Sequence, residues 1–185
     1  MKVLKTDIEG LFVIEPKVFG DDRGFFLESW NEKKFNDAVG KEIKFVQDNH
    51  SKSNKGVLRG LHLQLVNPQA KLVRVVSGSV IDVVVDLRKD SITFGKSFAI
   101  EISDTNKKQL FIPKGFAHGF LTLEDNTEFL YKCDEYYDPK SEISILWNDE
   151  EISIDWEKYY SGKYLLSEKD KLGMTLVEYR KKLGL

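Results

Sequence analysis

A single cysteine, Cys133, in 185 residues excludes an intrachain disulfide framework, and a lone thiol fits a reducing cytoplasm. No apolar run approaches the ~20 residues needed to span a bilayer, so no membrane partner is expected. No secretory leader is expected either: Met1–Lys5 is short and polar, and Leu11–Ile14 is too brief for an h-region. The net charge of −2 supplies no basic field, which argues against a nucleic-acid partner. No Gly-x-Gly-x-x-Gly fingerprint for a dinucleotide is present. Internal repeats, low-complexity tracts and compositional breaks are also missing, so residues 1–185 are expected to form one domain.

What is abundant points to strands. Twelve Phe and seven Tyr accompany a 41% apolar composition, which suits sheets and aromatic-lined pockets. Short apolar segments broken by turn residues predict strands at Leu11–Glu15, Gly24–Trp30, Val57–Gln64, Lys71–Val76, Ser79–Leu87, Ser97–Ile102, Gln109–Ile112, Phe120–Leu123, Thr127–Lys132 and Ile143–Trp147. Ser77-Gly78-Ser79 reads as a hairpin turn between two of them. Helices are expected at Asn31–Val39 and Thr175–Leu183, the second with Thr175 and Glu178 at capping-box spacing. The class is mainly β, a sandwich or barrel with small peripheral helices.

Histidine is scarce: only His50, His62 and His118 occur. His118 lies in Pro113-x-Gly115-x-x-His118, the spacing of the second cupin motif, where a Pro-x-Gly turn would deliver it to a barrel mouth. A mononuclear metal site would require more imidazoles, usually beginning with His-x-His. This chain offers His62-x-Gln64, and an amide oxygen is a poor ligand for such metals, so no metal is expected.

Longer strings carry a specific resemblance. They are Phe19–Glu28, Phe45–Ser51, Gly56–Gln64, Lys71–Val75, Asp82–Arg88, Pro113–Phe120, Tyr131–Tyr137 and Ile145–Asp149, in that order. Together they resemble the dTDP-4-dehydrorhamnose 3,5-epimerase family, over roughly Leu11 to Asp170. The resemblance implies a cupin-type jelly roll and a cofactor-independent isomerase. Its substrate would be dTDP-4-keto-6-deoxyglucose, epimerised at C3 and C5 on the way to dTDP-L-rhamnose.

The chemistry is proton transfer at carbon: the C4 ketone acidifies its neighbours by delocalising the carbanion into an enolate. Such a site needs a base, an acid on the opposite face, and positive charge near the enolate oxygen. The resemblance assigns His62 as base, with Asp170 as its carboxylate partner, Tyr131 as acid and Lys71 at the enolate oxygen. Read from residues alone, Ser167 and Asp170 could instead form a capping box. Asp82, opposite the apolar face of Ile81, Val83 and Val85, is the second candidate for the carboxylate.

For binding, the resemblance implies Arg23 and Arg59 at the diphosphate and sugar, since guanidinium geometry suits paired phosphate oxygens. It implies Glu28, Gln47 and Asn49 at thymine and ribose, and Tyr137 stacked on the base. Glu142 and Lys169 are implied as further nucleotide contacts, and His118 as a contact at the sugar. Strict alternation sets Arg59 and His62 on opposite faces, so sharing one pocket requires a bulge at Gly60. The family also implies a homodimer exchanging N-terminal strands, with Gly24–Trp30 as the candidate. Arg23 and Glu28 would then complete the neighbouring subunit's site. Three other readings stay open: a mono-epimerase of the same family, a non-catalytic sugar-binding cupin, and a metal-dependent cupin enzyme.

Overall fold

The computed structural model describes residues 1–185, and its regular structure is mainly antiparallel sheet. In chain order the strands are β1 (Lys2–Lys5), β2 (Phe12–Glu15), β3 (Val18–Asp21), β4 (Gly24–Leu27), β5 (Gln47–Ser53), β6 (Leu58–Gln64) and β7 (Lys71–Ser77). There follow β8 (Ser79–Asp86), β9 (Ser97–Ser103), β10 (Gln109–Ile112), β11 (Phe116–Thr122), β12 (Thr127–Cys133) and β13 (Glu142–Ser144). One sheet runs β1-β2-β10-β7-β12-β5 and the other β13-β6-β11-β8-β9, while β3 and β4 form a separate hairpin. The two large sheets face each other as a cupin-type jelly roll, as expected.

Three apolar clusters follow from this layering. Between the sheets lie Val73, Val75, Val80, Val84, Leu110, Ile112, Phe120 and Phe129. The outer face of the six-stranded sheet is covered through α1 (Glu32–Val39), whose Phe35 packs on Leu72 and Phe111. The outer face of the five-stranded sheet carries Leu61, Leu63, Ile81, Val83 and Val85 beneath Ile145, Ile152, Trp156, Leu176 and Tyr179 of the C-terminal region. Every residue of β8 is buried because both of its faces are covered. Each large apolar side chain buried in this way contributes about 1.5–3 kcal/mol, enough together to anchor the C-terminal region over the sheet. No helix is long and apolar enough to cross a membrane.

Both expected helices form, with a single extra turn, α2 (Glu168–Lys171), between them. Asn31 caps α1, and α3 (Leu176–Leu183) carries the complete Thr175–Glu178 capping box. Several outcomes differ from the sequence reading: β1 and β3 are not among the expected strands, the strand expected at Gly24–Trp30 ends at Leu27, and that expected at Ile143–Trp147 lies at Glu142–Ser144. Ser77-Gly78-Ser79 is not a hairpin turn: β7 pairs with β10 and β12, and β8 with β11 and β9. Gly78, at φ +76°, instead turns the chain from one sheet into the other. Strand β11 starts at Phe116, so His118 lies within the strand and is buried, not placed at its start. Strand β5 is absent from the expected set, because Gln47–Ser53 contains no apolar residue. It is an edge strand whose alternate residues face the space between the sheets.

Candidate active site

The open end of the sandwich holds a cavity of about 460 Å³, lined from both sheets and from the C-terminal region. Ser51, Lys71 and Tyr131 come from the six-stranded sheet, and Arg59, His62, His118 and Phe120 from the five-stranded one. Leu165, Ser167, Lys169 and Asp170 close one side. Strand register explains the first group, since Tyr131 pairs with Asn49 and Val73, and Cys133 with Gln47 and Lys71. On alternating strands those rows share the inward face.

Arg59 and His62 reach the same cavity through a bulge. His118 pairs with His62 and Phe120 with Arg59, so β6 advances three residues where β11 advances two. Gly60 absorbs the extra residue at φ +113°, where a Cβ would stand 2.5 Å from the Gly119 Cα. The expected irregularity at Gly60 is therefore present. Arg59 rests on the Ser53 hydroxyl, 3.2 Å from Nε and 3.1 Å from Nη2.

His62 bonds through Nε2 to Asp170 Oδ1 at 2.7 Å. Asp170 sits on α2, whose N-cap Ser167 accepts the Asp170 N–H. Of the capping box only one half forms: Ser167 caps the Asp170 backbone, but the Asp170 carboxylate accepts no bond from the Ser167 N–H. That carboxylate accepts instead from the Ser167 hydroxyl at 2.6 Å, the Gly60 N–H at 3.3 Å and His62. Burial raises the Asp170 pKa, but these bonds outweigh it and bring it down to about 2. Asp82, the second candidate, does not reach His62. It is fully buried and bonded to His118 Nε2 at 2.8 Å.

With Nε2 committed to Asp170, Nδ1 is the free nitrogen of His62, and Glu142 Oε1 lies 3.8 Å from it. Glu142 Oε2 accepts from the Tyr137 hydroxyl at 2.8 Å and from the Lys169 ammonium. Burial raises the Glu142 pKa, and the bonds from Lys169 and Tyr137, with attraction to His62, lower it on balance. Tyr131 stands with its ring 5.8 Å from the Lys71 ammonium. Burial, reinforced by Cys133 and Glu142, pushes its phenol up to about 12. Burial lowers the Lys71 pKa, opposed by Cys133, Glu142 and Asp82. Three cationic side chains, Arg59, Lys71 and Lys169, line the cavity against the carboxylates of Asp170 and, beside His62 and Lys169, Glu142, a net positive balance that suits an anionic ligand.

Not every expected contact converges here. Gln47 and Asn49 flank Tyr131 rather than lining the main cavity: Gln47 Nε2 donates to Asn49 Oδ1, and Gln47 Oε1 accepts the Tyr137 N–H. Arg23 and Glu28 are absent from the cavity of their own chain. Arg23 is paired with Asp21 in the projecting β3–β4 hairpin, and Glu28 with Lys34 at 2.8 Å. Gln64 is occupied structurally, bonding the Asn67 and Tyr136 carbonyls and the Asp138 N–H. Sequence reasoning missed Ser53 beneath Arg59 and the apolar wall of Phe120 and Leu165. Ser53 had a signal, at alternating spacing from Gln47 and Asn49; Leu165 had none. No cluster of three or more His, Cys, Asp or Glu is arranged to hold a metal ion.

Known proteins resemble this chain over nearly its full length. A family model described as dTDP-4-dehydrorhamnose 3,5-epimerase matches residues 5–178. The enzyme of that name from Shigella flexneri is 54% identical, over 96% of this chain and 97% of its own. The crystal structure of dTDP-6-deoxy-D-glucose-3,5-epimerase from Legionella pneumophila Philadelphia 1, in complex with dTDP-4-keto-L-rhamnose, superposes with a TM-score of 0.94. It is 46% identical, over 98% of this chain and 96% of that one. A 3'-monoepimerase from Streptomyces bikiniensis, in complex with dTDP-quinovose, superposes at 0.89 with 32% identity, over 97% and 90% of the two chains. A fold, a family match and relatives of this identity over nearly their whole length agree: the chain belongs to the dTDP-4-dehydrorhamnose 3,5-epimerase family.

Proposed function

We propose that this protein is a dTDP-4-dehydrorhamnose 3,5-epimerase, converting dTDP-4-keto-6-deoxy-D-glucose to dTDP-4-keto-L-rhamnose. The observation that carries the reading is the His62–Asp170 pair at 2.7 Å, opening onto a cavity shared with Lys71 and Tyr131. His62 Nδ1 takes the proton from C5 or C3, and the electron pair left behind delocalises into the C4 carbonyl as an enolate. Asp170 holds the Nε2 proton and stabilises the imidazolium that forms, as in a Ser-His-Asp triad. Glu142 adds a second carboxylate near the charged ring. The Lys71 ammonium faces the enolate oxygen, where positive charge in a water-poor site acts most strongly.

Tyr131 returns a proton to the opposite face of the carbon, inverting it. Its raised pKa keeps the phenol protonated until the enolate carbon demands the proton. Solvent then reloads the tyrosinate and discharges the imidazolium. Proton transfer beside a ketone involves no net oxidation, so the reaction calls for no redox cofactor. Arg59 and Lys169 bind the diphosphate, and Tyr137, Gln47 and Asn49 form the rim that takes the base. We assign residues 1–185 to one domain and place its work in the cytoplasm, which the lone thiol of Cys133 suits.

The active form is a homodimer. The β3–β4 hairpin exposes Val18, Phe19, Phe25 and Phe26, an apolar surface characteristic of an interface. Arg23 and Glu28 lie on and beside that hairpin, away from their own cavity, and complete the site of the partner. The test is solvent-deuterium incorporation into dTDP-4-keto-6-deoxyglucose, followed by NMR and mass spectrometry. Label at both C3 and C5, abolished by His62→Ala, supports the double epimerase. Label at one carbon alone indicates a mono-epimerase, and none above the enzyme-free background rejects catalysis.

A further inference from the structure

One buried carboxylate has no part in the chemistry above. Asp82 is fully buried, on the inward face of β8. One of its oxygens, Oδ2, bonds His118 Nε2 at 2.8 Å. The other, Oδ1, has no hydrogen-bond partner, and the same is true of the Thr122 hydroxyl. An ionisable group is costly to bury, and apolar replacements of similar volume are often neutral or stabilising. Packing therefore does not explain an aspartate here, whereas a task performed through His118 does.

The two cavity histidines are built alike. They pair in register across β6 and β11. Each is held by a carboxylate at Nε2, His62 by Asp170 and His118 by Asp82. His118 Nδ1 makes no hydrogen bond within the chain, and its ring lines the cavity. The Phe129 ring stacks on the imidazole, with centroids 6.1 Å apart and planes 24° apart.

We propose that Asp82 is a positioning residue that acts through His118. It fixes the Nε2–H tautomer, so that Nδ1 presents a lone pair to a hydroxyl of the bound sugar. Being fully buried, Asp82 touches no substrate itself. In an imidazole the tautomer is set by whatever the other nitrogen binds. An amide at position 82 can donate to Nε2, which moves the ring proton to Nδ1 and turns the acceptor into a donor. The sugar hydroxyl must then accept from Nδ1–H where it had donated to the bare nitrogen, which turns it and shifts the ring carbons relative to His62 and Tyr131. This inference rests on the epimerase reading for its kinetic consequence, but not for the tautomer itself.

The first experiment is 15N NMR of histidine-labelled protein. With only three histidines, the His118 signals are assigned by their loss in His118→Ala. The parent protein should show His118 protonated at Nε2 and bare at Nδ1, and Asp82→Asn should reverse that pattern. Nδ1–H in the parent overturns the proposal even if no variant folds. In kinetics, Asp82→Asn should lower kcat about 10–100-fold while KM changes less than about threefold. In a His118→Ala background the same substitution should cost less than about threefold. An undiminished cost there means that Asp82 does not act through His118. Thr122→Val, on the same inward face, should leave kcat unchanged; a comparable loss would assign the effect to packing. If the parent incorporates no deuterium at all, the epimerase reading fails, while the tautomer measurement still decides the role of Asp82.

Discussion

Replacing Asp170 by Asn tests the central pair while keeping its shape. Asp170 accepts from His62 Nε2 at 2.7 Å, the Ser167 hydroxyl at 2.6 Å and the Gly60 N–H at 3.3 Å. Against the opposing effect of burial, these bonds hold its pKa at about 2, below the ordinary 3.8. A drop of that size corresponds to roughly 2.5 kcal/mol of stability at most, because one unit is about 1.4 kcal/mol. The folded pKa is depressed, so this stability is fully present above about pH 4 and lost as pH falls toward 2. The Asp170→Asn change removes it at all pH values, and for a chain of this length the melting temperature should fall by up to roughly 5–10 °C. The catalytic loss should be much larger. An amide can donate to Nε2 and leave His62 with its proton on the wrong nitrogen, a change that costs about 10⁴-fold in a catalytic triad. Single-turnover deuterium exchange at 25 °C, beside a thermal scan, separates the two effects. Where the scan shows the variant folded at that temperature, lost stability does not account for a thousandfold slower exchange. Exchange within tenfold of the parent, in folded Asp170→Asn protein, would refute the assignment of Asp170 as partner of the base.

Tyr131→Phe should retain deuterium exchange on the face of His62 while losing inversion at one or both carbons, as read by product NMR. The Tyr131 phenol is pushed up to about 12, so the alkaline limb of the parent pH–rate profile below pH 10 should be unchanged in this variant. Gly60→Ala should lower stability by about 2–4 kcal/mol in a urea titration, because its Cβ would stand 2.5 Å from the Gly119 Cα at a backbone angle of φ +113°. Unaltered stability would mean that the bulge relaxes freely. For the dimer, His62→Ala and Arg23→Ala subunits should each be impaired alone. Unfolded together and refolded, they should recover about a quarter of the parental rate, since half of the dimers are hybrids with one complete site each. No recovery would mean that Arg23 does not serve the neighbouring cavity.

Much of this protein is legible along the chain because its signals are local. The alternation of Ser79–Asp86 marks a buried strand, with Asp82 on the face opposite Ile81, Val83 and Val85. The Thr175–Glu178 box marks the start of α3. The family strings name His62, Tyr131, Lys71 and Asp170, although His62 and Asp170 lie 108 residues apart. Strand β5 stays hidden because its polar residues face a cavity and not a core, so no apolar alternation announces it. The Ser77–Ser79 turn misleads because turn residues specify a reversal but not which sheet receives the next strand. That choice is made by β10, β11 and β12, far along the chain.

The sequence by itself determined the chemistry: which side chains are present, how few imidazoles there are, and which residues favour strands. Tertiary structure alone decided the pairing of carboxylates with histidines. Asp170 and Asp82 were both candidates for His62, and they are shared between His62 and His118. It also decided that Arg59 joins His62 in one cavity while Arg23 does not. The physical reason is that hydrogen bonds of 2.7–2.8 Å depend on positions in space. Those positions come from register, a bulge and the packing of a distant C-terminal turn, none of which a residue's neighbours in sequence encode.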